Sequence, residues 1–133
     1  MIRFQIAVLA SCFFVSAAQA QDADCTNPQT QLEMTQCAQQ DWQATDANLN
    51  EAYKAAQVAM AEIDASLPDA EKGAATGLRD GQRAWISYRD AACATEGYLS
   101  HGGSVEPMVV AYCLARLTKA RAADIWMLSQ NGE

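Results

Sequence analysis

The segment GQRAWISYRDAAC, residues 81–93, sets Gln82, Trp85, Arg89 and Cys93 at steps of three and four, which is one face of a helix. An arginine and a glutamine beside a tryptophan and a cysteine are either the wall of an active site or a core that needs polar parts. Two further ionisable residues, Asp46 and Arg121, interrupt apolar stripes in the same way. An Asp/Arg cluster can stabilise developing charge, but catalysis also needs a base or a nucleophile, and neither stripe holds one. His101 and Ser104 offer those types, yet they lie too close in sequence to act as a dyad without a positioned acid. The chain carries no H-E-x-x-H, G-x-S-x-G, phosphate loop or C-x-x-C. His101 is the only histidine, so zinc has too few ligands. The reading is a protein that is not an enzyme and takes no metal or cofactor.

The opening MIRFQIAVLASCFFVSAAQAQ has one charge, Arg3, then an apolar run from Ile6 to about Ala18 and the small-x-small site Ala18-Gln19-Ala20. This is the pattern of a secretory signal peptide, with cleavage expected after Ala20. Leu9-Ala10-Ser11-Cys12 also resembles a lipobox, which would leave Cys12 lipidated. The apolar stretch before it is very short, so cleavage after Ala20 is the preferred expectation. Residues 1–20 are therefore assigned to the leader and 21–133 to a single domain, in the periplasm or secreted. The formal charge of −7 disfavours nucleic acid and anionic membrane faces. No later segment is apolar enough for a stable membrane span.

Removal of Cys12 with the leader leaves Cys25, Cys37, Cys93 and Cys113. An even count in a small exported chain implies two disulfides. Pairing close in sequence, Cys25 with Cys37 and Cys93 with Cys113, is preferred. Cys37 with Cys93 plus Cys25 with Cys113 is the alternative. Closing the loop from Cys93 to Cys113 stabilises by roughly 3 kcal/mol on the chain-entropy model.

The elements that must position these residues are helices. Asn27-Pro28 has the form of a helix start, with Thr30 and Glu33 a competing capping box. Trp42, Asp46, Leu49, Tyr53, Ala56, Met60 and Ile63 then recur at alternating steps of four and three, a buried stripe. Ser66-Leu67-Pro68-Asp69 breaks the chain and starts a second helix, with the stripe Ala75, Leu78, Gln82, Trp85, Arg89 and Ala92. Its Gly73, Gly77 and Gly81 either admit a neighbouring backbone or simply weaken it, and the second is favoured. After a loop from about Gly97 to Gly103, Ser104 caps a third helix with the stripe Leu114, Leu117, Arg121, Ile125 and Leu128; residues from Ser129 to Glu133 are expected to fray. No segment has strand periodicity. The fold class is all-α, a small bundle built on a long antiparallel hairpin plus a third helix.

In an antiparallel hairpin turning near Ser66 to Pro68, facing residue numbers sum to about 135. Tyr53 then faces Gln82, and Asp46 faces Arg89. The expectation is a buried or half-buried pair, Asp46 with Arg89, with Asn50, Gln82 and the Tyr53 hydroxyl as satisfiers and Arg121 joining from the third helix. The planar fork of arginine suits it to hold a carboxylate.

These residues also form a familiar pattern. Asp46-x-x-Leu49-Asn50-x-x-Tyr53, then Gln82-x-x-Trp85-x-x-x-Arg89-x-x-x-Cys93, then Gly102-Gly103-Ser104, Cys113 and Arg121 together resemble the LprI-like lysozyme-inhibitor family. The likeness spans Cys25 to about Ile125. It implies an exported, helical, disulfide-bonded envelope protein whose partner is a lysozyme or another cell-wall hydrolase. A lysozyme cleft holds two carboxylates, one protonated as the catalytic acid. A loop tethered between Cys93 and Cys113 fits such a cleft better than a helix face, and Tyr98, His101 and Ser104 are its candidate target-binding donors. The alternative is a non-enzymatic envelope interaction or stress protein with a different protein target.

Overall fold

The computed structural model describes residues 23–130; the leader, its cleavage site and Cys12 lie outside them. Three helices follow in order: α1, Gln31–Ser66, α2, Ala74–Gly97, and α3, Glu106–Gln130. Short 3₁₀ turns at Asp69–Glu71 and Tyr98–Ser100 join them.

Each boundary has a local cause. The helix start expected at Asn27-Pro28 yields to the capping box. The Thr30 hydroxyl accepts from the Glu33 amide at 3.2 Å, and the Glu33 carboxylate accepts from the amides of Thr30 and Gln29. Two amide donors are satisfied reciprocally there, which Asn27 cannot match. At the other end Leu67, preceding Pro68, is extended, as a residue before proline must be. α2 starts not at Asp69 but at Ala74. Its first amides are capped from the previous helix: the Asp64 carboxylate accepts from Gly73, Ala74 and Ala75 at 2.8, 2.9 and 3.0 Å. Likewise α3 begins at Glu106, so the residue next to it is Val105 and the expected Ser104 cap is not formed. Ser129 and Gln130 remain helical; residues 131–133 lie outside the described residues.

Gly77 and Gly81 are exposed, and a Cβ on either would meet nothing within 4 Å. No backbone approaches them. Gly97 differs: a Cβ there would sit 2.7 Å from Val110 Cγ2, so the end of α2 lies close against the start of α3.

The hairpin of α1 and α2 is present, but the broadest packing is between α1 and α3. These two run parallel, as Gln31 reaches Met108 and Asn48 accepts from the Trp126 indole at 3.1 Å. Small residues make this contact. Ala38, Ala52, Ala56 and Ala59 on α1 and Ala111, Ala115, Thr118 and Ala122 on α3 are all 6 % exposed or less. Of the expected α3 stripe only Ile125 is fully buried; Leu114, Leu117 and Arg121 are half-buried and Leu128 is exposed. Ala75 at the head of the α2 stripe is exposed too. Leu49, Leu78 and Ile125 fill the core among the alanines, with Tyr53, Met60, Trp85 and Trp126 packed around them. Each buried leucine or isoleucine contributes about 2 kcal/mol.

The disulfides are Cys25–Cys37 and Cys93–Cys113. The first holds the segment before α1 against its second turn. The second ties α2 to α3 from two fully buried positions. Among the described residues no helix is long and apolar enough to cross a membrane.

Candidate functional site

Arg89 projects from α2 with its side chain 10 % exposed. Its guanidinium lies 5.1 Å from the Trp85 ring centroid and 5.9 Å from that of Trp42, both within range for cation–π attraction. Nη1 reaches Asp46 Oδ1 at 3.4 Å, and Nε and Nη2 both reach Asp90 Oδ1 at 2.9 Å. Asn50 donates to Asp46 Oδ2 at 3.1 Å. Arg121 Nε donates to Gln82 Oε1 at 3.1 Å, and its guanidinium is 5.9 Å from the Trp85 centroid.

The structure thus brings Asp46, Asn50 and Arg89 together, and Gln82 with Arg121. It leaves Tyr53 out: the ring packs on the core, and Gln82 is bonded to Arg121 instead. Asp46 has a side chain 42 % exposed, so the ion pair sits at the rim of the core rather than inside it. Asp90 is the closer partner of Arg89 and had no place in the inward stripe. It is the sequence neighbour of Arg89, and helix neighbours point apart; only the long arginine stem lets the fork fold back to it. All three guanidinium nitrogens of Arg89 are thus turned onto carboxylates.

Beyond the end of α2 the chain closes a compact loop. The Tyr98 and His101 rings stack with centroids 4.8 Å apart. Glu106, the first residue of α3, folds back over the loop. One carboxylate oxygen accepts from the Gly102 amide at 2.7 Å, and the other lies 3.3 Å from His101 Nδ1. The Gly102 amide first, and the histidine second, hold the Glu106 carboxyl below its ordinary range. Gly102 has φ +75°, a left-handed conformation that favours glycine. The amides of His101 and Gly103 bond to the carbonyls of Tyr98 and Ser100. Cys93–Cys113 and an ion pair from Arg116 to Glu96 close the base. Tyr98 and Leu99 stand out from this frame at 68 % and 87 % exposure. Ser104 is exposed as well, with no hydrogen bond from its side chain among the described residues.

Between the loop and the Arg89 cluster lies a cleft of ≈ 470 Å³, lined by Trp42, Arg89, Asp90, Tyr98, His101 and Glu106 over a floor that includes Val110 and Leu114. A smaller cleft of ≈ 340 Å³ shares Trp42, Glu106, Val110 and Leu114 with it and continues towards Gln39. A third, of ≈ 430 Å³, lies beside Asp41, Glu96, Tyr112, Arg116 and Lys119 and is lined by neither the 98–106 loop nor the tryptophans. The first cleft joins Tyr98 and His101 to Arg89; Ser104 does not line it. Trp42, Asp90, Leu99 and Glu106 were not singled out from the sequence as site residues. Glu106 carried a usable signal: an acidic residue opening a helix just after two glycines is placed to accept loop amides.

A family model described as lysozyme inhibitor LprI matches residues 22–125. An uncharacterized protein of Rhizobium meliloti (strain 1021), R02472, is 40 % identical over 131 residues, covering 96 % of this chain and 94 % of that protein. No solved structure matches the chain. With most of its length matched by that model, and with its two disulfides and three helices in place, the chain belongs to the lysozyme inhibitor LprI family.

Proposed function

We propose that the protein is exported by way of residues 1–20, acts as a single domain in the periplasm or outside the cell, and inhibits a peptidoglycan-cleaving lysozyme with the loop between Cys93 and Cys113. One observation carries the reading. The loop is pre-ordered by Glu106 and by the disulfide at its base, yet it holds Tyr98 and Leu99 out in solvent. An exposed tyrosine on an ordered loop, with an apolar neighbour beside it, is a feature of binding surfaces, and prior ordering removes part of the entropy cost of association. The Tyr98 and Ser104 hydroxyls supply donors for the two carboxylates of a lysozyme cleft, and the Nε2 edge of His101, whose Nδ1 faces Glu106, accepts from the carboxyl that is protonated, while Leu99 fills apolar space beside them. The chain is a binder in this scheme and performs no chemistry of its own.

The test is clearing of bacterial cell walls by c-type lysozyme with and without the mature protein. Inhibition at micromolar protein is expected. Tyr98→Ala, Leu99→Ala and His101→Ala should weaken it, Leu99→Ala by roughly tenfold if it is a buried anchor. Unchanged inhibition constants in all three would remove the loop from the interface. No inhibition by the parent protein would favour an envelope interaction protein with another protein target.

A further inference from the structure

We propose that the cleft between α1, the end of α2 and the 98–106 loop is a socket for a lysine or arginine side chain of a protein partner. Its chemistry is that of a long apolar stem with a cationic head. Ala94, Val110 and Leu114 line it with hydrocarbon and Trp42 with an aromatic ring, while Tyr98 and His101 add a stacked aromatic pair. Such surfaces take the methylene stem of a basic side chain, whose head then seeks carboxylates.

The charges around the cleft favour a cation. Arg89 is the one cationic side chain in its lining, and Asp46 and Asp90 both hold it. Glu106 adds a third carboxylate with no arginine or lysine on it, only the Gly102 amide and His101. With its side chain 29 % exposed, it is less screened than a fully solvated acid. An anionic ligand would meet Asp90 and Glu106, and the charge of Arg89 is already matched by Asp46 and Asp90. A purely apolar anchor would press hydrocarbon against the Glu106 carboxylate. The chain as a whole carries −7, which draws basic partners to this face. The inference rests on the lysozyme reading for the identity of the partner only; the socket itself is tested without lysozyme.

The experiment titrates the isotopically labelled mature protein with Nα-acetyl-arginine methylamide, followed by NMR, with the norleucine and glutamate analogues as controls. Saturable shifts are expected at the Trp42 indole, at Tyr98 and at the Gly102 amide, with a dissociation constant on the order of millimolar. Glu106→Gln should weaken binding about tenfold. Because that change also touches the loop, Ala94→Phe serves as a second variant: it fills the cleft from an exposed helix position and should abolish the titration while hydrogen exchange at the Gly102 amide, bonded to Glu106, stays slow. Equal binding of the norleucine or glutamate analogue, or no saturable shift around the cleft, overturns the socket. Arginine-analogue binding without lysozyme inhibition keeps the socket and removes lysozyme as the partner. Inhibition without analogue binding keeps the inhibitor reading and rejects the socket.

Discussion

An arginine laid between two tryptophans is held by packing as well as by charge, so its loss reaches further than the loss of one carboxylate. Arg89 touches Trp42, Trp85, Asp46 and Asp90, whereas Asp46 is half in water. Arg89→Met should therefore cost about 2 kcal/mol, from lost hydrogen bonds and cation–π contact. Asp46→Asn should cost less than about 1 kcal/mol, as for a solvent-screened pair. Chemical denaturation of both variants measures the difference, and equal losses would mean that the ion pair, not the aromatic sandwich, is what matters. The meeting of Asp46 and Arg89 was legible because a short turn fixes which residues of two long helices face each other. The sandwich was not, since ring orientation depends on how three helices settle together. Tyr53 shows the same limit: its position on the inward face is readable, but whether its hydroxyl or its ring is used depends on neighbours that pattern does not name.

Between elements, the weakest stretch is the first half of α2. Gly77 and Gly81 face open space, so each adds unfolded-chain entropy without a packing role. Gly77→Ala and Gly81→Ala should each stabilise by about 0.5–1 kcal/mol, and the pair should be close to additive. Urea midpoints decide this; destabilisation would show that something does approach the helix there. The same stretch depends on Asp64, which caps it from α1. Three amides, Gly73 foremost, hold the Asp64 carboxyl below its ordinary range. A carboxyl whose folded value is lowered contributes stability that is fully present above its unfolded value. That contribution is lost as pH falls through the folded value. Acid should thus loosen the start of α2 below about pH 4. Asp64→Ala should fray it at neutral pH and flatten the acid dependence, as read from hydrogen exchange at Ala74 to Leu78. The start of α1 was legible to within its two competing signals. The α2 cap was not, because its donor amides lie nine to eleven residues from Asp64 and across a turn.

For the whole molecule, stability and proposed activity meet at one covalent bond. Cys93–Cys113 closes a sequence separation of 20 residues, for which chain entropy gives about 3 kcal/mol. It also sets the base of the loop and the close approach of Gly97 to Val110. A Cys93→Ser, Cys113→Ser double variant should be less stable by that amount, melt earlier and bind lysozyme more weakly. The Cys25→Ser, Cys37→Ser variant should leave binding nearly intact, since that bridge lies before and within the start of α1. Calorimetry and the cell-wall assay on the two variants separate these effects; equal loss of inhibition in both would place the interface elsewhere. On the proposed function, the acidic net charge should make inhibition of a cationic lysozyme weaken with salt.

Sequence by itself determined the all-α class, the number and order of the helices and the register of the α1–α2 hairpin, and it favoured the local cysteine pairing that the structure then decided. Each of these follows from periodicity, from turn residues or from short loops, which are local. Tertiary structure decided that α1 packs most broadly on α3, because alanines make that contact and alanine is a good helix former on any face. A stripe of small residues leaves little trace in a pattern read from large apolar ones. It also decided where the cleft lies, since Trp42, Arg89, Tyr98 and Glu106 come from four separate segments. Their convergence depends on the angle and spacing of three packed helices, a property that belongs to no single stretch of chain.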